Sequence, residues 1–308
     1  MPLNDGSSRA SDLTPNPVDL SVSLSPDTDR PGVTVSRRVH VRCPDGWHVR
    51  PDEVITEEPM EIRVMVTQDG RWTAHSIAVT MRTPGHDYEL AAGFLFTEGV
   101  ITHRDDVVAI RYCPDPHEPQ RYNVVSVYLR PGMVFDVTQR SRHVLTSSSC
   151  GVCGQTTLDW VRQMCTQRPR MHAPVSMQAL CRMYDTMVQA QRLFARTGGL
   201  HASALFDRNG RLLYLREDVG RHNAMDKLVG ALLLQGALPA DDTIVLVSGR
   251  AGFELVQKAI RAGIPMLVAV GAPTSLAVQL AENYGMTLIG FFRNDRCNVY
   301  TGIERIRA

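Results

Sequence analysis

From residue 200 onward, short apolar runs alternate with longer amphipathic ones, and this alternation restricts the fold more than any other feature of the chain. The stretches 200–207, 212–216, 243–248, 265–270 and 286–292 are strand-length runs rich in Val, Ile, Leu and Phe. Between them, 222–235, 251–262 and 274–284 carry apolar residues at helical spacing. Strand–helix alternation at these lengths predicts an α/β domain with a largely parallel sheet. The turn Asp207-Arg208-Asn209-Gly210 joins the first two strands.

Ligands of such sheets bind beyond the carboxyl ends of the strands. Four loops fall there, at 216–223, 248–250, 271–275 and 292–296. They supply Arg216, Arg221, Arg250, Arg293 and Arg296, whose planar guanidinium groups suit phosphate. Thr274 and Ser275 stand at a helix start, a second kind of anion site. A plainer reading has these arginines solvated, or paired with Glu217 and Asp218. Convergence of four such loops on one edge favours an anionic, nucleotide-like ligand. There is no GxGxxG and no P-loop, which argues against a standard dinucleotide or triphosphate site. Of the histidines, His222 follows Arg221 at a helix start and is a ligand-contact candidate, whereas His201 enters an apolar strand and reads as a core residue.

The first half has a different texture. Residues 33–41 and 60–66 alternate apolar and polar, the turn at 68–71 sends the chain back over 72–81, and 107–112 and 123–129 are two further strands. One helix, 87–95, starts after Pro84-Gly85-His86, and its stripe of Leu90, Phe94 and Leu95 reads as core. This is a smaller, strand-rich α+β domain over 33–145. Residues 1–32 are rich in Ser, Pro and Asp and read as a disordered tail, without the apolar region of a signal peptide. Helices at 156–166 and 175–195 open the second half, 156–308.

Between the halves, over 146–155, lies Thr146-Ser147-Ser148-Ser149-Cys150-Gly151-Val152-Cys153-Gly154. Two thiols on a Ser/Gly loop, just ahead of a helix N-terminus, are placed to favour thiolate. Such a pair serves thioredoxin-like redox exchange, half of a zinc site, or a persulfide carrier, or it is simply two small residues in a turn. The thioredoxin motif follows an aromatic residue, and a zinc site needs a second close pair of ligands; this sequence has neither. Seven cysteines, one close pair and five scattered, do not form a disulfide framework and suit a reducing, cytoplasmic setting. A net charge of +1 gives no bulk argument for nucleic acid or membrane, and no apolar run is long enough to span a bilayer.

Taken together, several stretches resemble the formate dehydrogenase accessory sulfurtransferases, the FdhD/NarQ family, from about residue 54 to 303. They are 57–64, 81–85, 89–101, Cys150-Gly151-Val152-Cys153-Gly154, Thr197-Gly198-Gly199-Leu200-His201, 217–227, and Ser248-Gly249-Arg250. The resemblance implies a three-layer α/β domain like the cytidine deaminase fold, and a homodimer. It implies a sulfur carrier that takes sulfur from an IscS-like cysteine desulfurase as a cysteine persulfide. The sulfur then passes to the molybdenum cofactor, Mo-bis(molybdopterin guanine dinucleotide), before insertion into formate dehydrogenase. On this reading Cys150 carries the persulfide, and we assign Cys153 as a resolving thiol. The implied cofactor-binding segment is Phe291, Phe292, Arg293, Asn294, Asp295 and Arg296. To it the strand-end loops add Arg221, His222, Ser248 and Arg250. GDP is expected to mimic the bound cofactor, and no resident metal is implied. Arg140, Arg142 and His143 stand upstream of the thiols to steer an acidic partner or the anionic cofactor. Two rival readings are a zinc deaminase-like hydrolase and a non-catalytic cofactor chaperone. The deaminase needs H-x-E and P-C-x-x-C, but Ser203 stands in place of the glutamate and Ser149 in place of the proline.

Overall fold

The computed structural model describes residues 32–113, 121–133, 165, 168–293 and 296–307. The tail before residue 32, the boundary at 145–146, the thiol loop over 146–155 and, apart from Cys165, the helix expected at 156–166 lie outside the described residues.

The described chain opens with β1 (Thr34–Cys43) and β2 (Gly46–Ile55), an antiparallel pair turned at Pro44-Asp45. Among the described residues this two-stranded sheet stands apart from the others, and most of its side chains are exposed. The second strand escapes sequence reading because Pro51, Asp52 and Glu53 interrupt its apolar pattern. The hairpin read at 68–71 is present, joining β3 (Glu58–Gln68) to β4 (Arg71–Arg82). Asp69 and Gly70 both take the positive φ that such a tight turn needs. β5 (Val107–Tyr112) and β6 (Val124–Leu129) complete a sheet of order β4-β3-β6-β5. Met60, Ile62, Val64 and Val66, two residues apart, are buried on one face of it. Against that face lies α1 (Asp87–Thr97). Leu90, Ala91, Ala92, Leu95 and Phe96 cover its whole circumference and all are buried. A helix apolar all round needs cover on two sides.

The second half begins with β7 (Val175–Ser176) and α2 (Met177–Ala190), where the Ser176 hydroxyl accepts from the Ala179 N–H as N-cap. The spacing predicts one helix over 175–195. The structure breaks it at the buried Gln191 (φ −74, ψ 71), and α3 (Arg192–Thr197) starts anew. The first N–H groups of α3, at Leu193 and Phe194, donate to the Glu217 carboxylate, a partner too distant in sequence for a local pattern to reveal.

The large sheet contains β8 (His201–Asp207), β9 (Leu212–Asp218), β10 (Thr243–Val247), β11 (Met266–Ala269), β12 (Thr287–Arg293) and β13 (Arg296–Thr301). Their spatial order is β13-β12-β11-β10-β8-β9. The expectation of a largely parallel sheet is corrected here, for the sheet is mixed. β10–β11 and β11–β12 run parallel, but β8–β9, β8–β10 and β12–β13 run antiparallel. Two of the antiparallel pairs are hairpins without a helix between their strands. The third arises because the strand after the next helix pairs with β8 and not with the edge strand β9. The helices of this half are α4 (Arg221–Leu234), α5 (Phe253–Arg261) and α6 (Ser275–Tyr284). Alternate strand residues face opposite layers. Leu205, Val245, Val247, Leu267, Ala269 and Leu288 pack with α4, α5 and α6, while Ala204, Phe206, Ile244, Leu246, Met266 and Val268 pack with α2. A last short strand, β14 (Ile306–Arg307), pairs in parallel with β7.

The second cover over α1 is α4. The two helices cross at Gly93 and Gly230, where backbone meets backbone. A Cβ on Gly93 would stand 1.9 Å from the Asp226 carbonyl oxygen, and one on Gly230 1.8 Å from that of Glu89. Two buried ion pairs flank the crossing. Lys227 Nζ lies 2.6 Å from Asp218 Oδ2 and donates to the Thr83 carbonyl at 2.9 Å. Lys258 Nζ donates to both oxygens of Asp226 (2.8 and 3.0 Å) and to Thr97 Oγ1 (2.8 Å). Asp218 also accepts from the Thr83 and Gly220 N–H groups and from the Asn223 amide, so its carboxylate is fully engaged. Much of the polar stretch 217–227 is therefore architecture: it ties β9 and α4 to β4 and α1.

Candidate functional site

The carboxyl ends of the parallel strands, the start of β8 and the end of β9 all reach one edge of the large sheet. Their loops are stitched together by main-chain hydrogen bonds. Ser248 N–H donates to the Ala202 carbonyl, Gly271 N–H to that of Gly249, and Phe291 N–H to that of Gly271. The Ser248 hydroxyl accepts from the Ala202 N–H at 2.8 Å. Ala251 and the 272–274 loop exchange two further bonds, Ala251 N–H to Ala272 and Thr274 N–H to Ala251. Small residues make this approach possible. A Cβ on Gly271 would sit 3.0 Å from Arg250 Cγ, and one on Gly249 would sit 3.2 Å from His201 Nδ1.

These contacts bring Arg250, Ser248 and His201 into one group, which Arg221, His222 and Glu254 join electrostatically. Burial, then the charges of Arg221 and His222, push the His201 pKa below its ordinary value, against a smaller pull from Asp218. The ring is thus neutral at pH 7, with one nitrogen able to donate and the other to accept. His222 Nε2 lies 3.7 Å from Glu254 Oε2, too far for a hydrogen bond but close enough for charge attraction. His222, with Arg221 beyond it, holds the Glu254 carboxyl well below the usual range, although burial opposes this. His222 Nε2 is itself buried and has no hydrogen-bond partner among the described residues. A half-buried basic rim carrying a neutral imidazole offers an anionic ligand both charge and a proton-exchanging group.

Of the residues singled out from sequence, Arg221, His222, Ser248 and Arg250 therefore share one edge. Phe291 joins them through Gly271; its φ is +52° and the residue is 47% exposed, while Phe292 is buried in the sheet. Arg293 and Arg296 face each other on the β12–β13 hairpin and are exposed, and no hydrogen bond or ion pair among the described residues ties either one down. Asn294, Asp295, Cys150, Cys153, Arg140, Arg142 and His143 lie outside the described residues. Arg216 does not belong with the phosphate-facing arginines, because its guanidinium is held by Glu89 at 2.5 and 2.8 Å. Thr274 opens α6 as read, but its hydroxyl accepts from the Ala277 N–H and so caps the helix itself.

Sequence reading takes one residue of the edge for core and passes over another. His201 is half-buried at the site and not a core histidine. Its place follows from β8 running antiparallel to β10, which puts the start of β8 beside the end of β10. Glu254 lies in the first turn of α5, and only its contact with His222 marks it.

The chain matches the model of the FdhD/NarQ family over residues 55–307. It is 48% identical over 280 residues to the sulfur carrier protein FdhD of Streptomyces avermitilis, covering 89% of this chain and 96% of that one. The protein of the same name from Mycobacterium tuberculosis is 47% identical over 279 residues, at 89% and 98% coverage. The protein of that name from Sulfurisphaera tokodaii is 44% identical over 258 residues, at 84% and 93% coverage. Among solved structures, one described as a candidate formate dehydrogenase accessory protein from Desulfotalea psychrophila superposes with a TM-score of 0.68. It is 26% identical and covers 90% of this chain and 100% of its own.

Proposed function

Because the chain belongs to the FdhD/NarQ family, we propose that it is a sulfur carrier serving formate dehydrogenase, with Cys150 as the atom carrier. The observation that carries this reading is the near-full-length similarity to proteins named sulfur carriers. Cys150 thiolate attacks the outer sulfur of a desulfurase persulfide, the donor thiolate leaves, and Cys150 holds the sulfur as its own persulfide. Cys153 thiolate then attacks Sγ of Cys150. The bond to the outer sulfur breaks, that sulfur leaves as hydrosulfide for the acceptor, and the two cysteines end as a disulfide. The acceptor is the molybdenum of Mo-bis(molybdopterin guanine dinucleotide), bound as substrate.

The basic edge suits that cargo. Arg221 and Arg250 offer bidentate donors to its phosphates. Arg293 and Arg296 extend the positive charge outward, and the exposed Phe291 ring offers a face to a guanine base. His201, neutral, donates a hydrogen bond without adding charge. The protein acts as a homodimer in the cytoplasm, on this proposal, with a cysteine desulfurase as donor. Deamination is disfavoured. Ser203 is a buried strand residue where a deaminase requires glutamate. A likeness to the cytidine deaminase fold, which the resemblance implies, would not by itself carry that activity.

The test is mass spectrometry after incubation with a cysteine desulfurase and cysteine. One added sulfur should map to Cys150, and Cys150→Ser should remain folded but carry none. Sulfur loading of the serine variant at the parent level would sink the proposal.

A further inference from the structure

We propose that Cys43, Asp45 and His48, at the tip of the β1–β2 hairpin, form a site for a thiophilic divalent cation, zinc foremost. Their ligand atoms, one thiol sulfur, one carboxylate oxygen and one imidazole nitrogen, all lie within 4.8 Å of one another. His48 Nε2 already stands 3.0 Å from Asp45 Oδ1. A tetrahedral zinc centre sets such atoms about 3.5 Å apart, so small rotations of exposed side chains close the site.

The register explains why the three meet. Cys43 pairs with Gly46 and Val41 with His48, so Cys43 and His48 project from the same face of the ladder. Gly46, between them, brings no side chain, and nothing lies within 4 Å of where its Cβ would be. That opening lets the imidazole lean over the turn toward Asp45. Thiolate with imidazole selects zinc or another soft-to-borderline cation over calcium or magnesium. Three protein ligands leave a fourth position to water. Binding displaces the Cys43 thiol proton, so affinity rises with pH.

A salt bridge alone accounts poorly for this arrangement. An exposed Asp–His pair contributes little to stability and needs no thiol beside it. A metal clip would instead answer a weakness of the fold. A two-stranded ladder is marginal by itself in water, and this one leaves Trp47 69% and Val49 59% exposed near its tip.

The experiment uses the full chain carrying Cys150→Ser and Cys153→Ser, so that the other close thiol pair is silent. It is made metal-free in a non-thiol reductant and titrated with Co2+. A thiolate-to-cobalt charge-transfer band should saturate at one equivalent and be bleached by Zn2+. Cys43→Ser should abolish the band, and His48→Asn should weaken Co2+ binding at least tenfold. One equivalent of Zn2+ should slow hydrogen exchange of the 41–48 amides at least tenfold in the same protein. Absence of the band, its survival in Cys43→Ser, or unchanged exchange overturns the proposal. None of these readouts depends on sulfur transfer.

Discussion

Replacing Gly93 by alanine sets two ordinary effects against each other, and the geometry of the α1–α4 crossing decides the sign. In an exposed helix the change is stabilising by roughly 0.5–1 kcal/mol, because glycine loses more backbone freedom on folding. At Gly93 the new methyl would sit 1.9 Å from the Asp226 carbonyl oxygen and 2.7 Å from the Gly230 nitrogen. Ordinary contact is about 3.5 Å, so the helices must part by more than 1 Å. Both obstacles are backbone, so no side chain can swing aside. Overpacking of this kind costs about 1–3 kcal/mol, and the upper end applies. The net expectation is a loss of about 2 kcal/mol, a factor near 30 in the folded-to-unfolded ratio. Urea unfolding followed by circular dichroism should show a lower midpoint for Gly93→Ala with little change in slope. Gly93→Ala with Gly230→Ala should lose less than the sum of the singles, since one separation relieves both clashes. A Gly93→Ala protein as stable as the parent, or more so, would refute the reading of this crossing.

The site and the buried charges give further expectations. Arg250→Ala and Arg293→Ala should each weaken GDP binding about tenfold, as expected when one charge-assisted contact is lost; unchanged affinity by calorimetry removes that arginine from the site. His201 should titrate by NMR below the usual 6.5, and Arg221→Gln should raise its pKa; a midpoint at or above 6.5 in the parent contradicts the placement. Burial raises the Glu89 pKa, but Arg216 and His86 outweigh it and bring it down from 4.5 to about 2. A depressed carboxylate stabilises fully above its unfolded value and ceases to as pH falls through the folded one. The difference in unfolding free energy between parent and Glu89→Gln, read from urea unfolding and up to roughly 3 kcal/mol, should therefore shrink between pH 4.5 and 2. A gap constant with pH would remove Glu89–Arg216 as its source.

What could be read from sequence depended on range. The period-2 burial of Met60 to Val66, the turn at Asp69-Gly70 and the apolar strands of the large sheet were all legible, because each is a local pattern. Strand order was not, since nothing near β10 states that it pairs with β8 in the opposite sense. From that one unknown follow the antiparallel β8–β10 pair and the place of His201 at the edge. Arg216 and Arg221 look alike in sequence. One is locked to Glu89, 127 positions away, and the charge of the other acts on His201 and Glu254 at the edge. The break at Gln191 likewise rests on Glu217, reached only through tertiary contact.

The crossing of α1 with α4 also bears on how the protein is made. Synthesis proceeds from the N-terminus at roughly 5–20 residues per second. α1 ends at Thr97 and α4 begins at Arg221, so the first helix leaves the ribosome on the order of ten seconds before its partner exists. During that interval the face of α1 at Gly93 lacks the backbone it packs against, and the nascent chain is a natural client for a chaperone waiting at the exit tunnel.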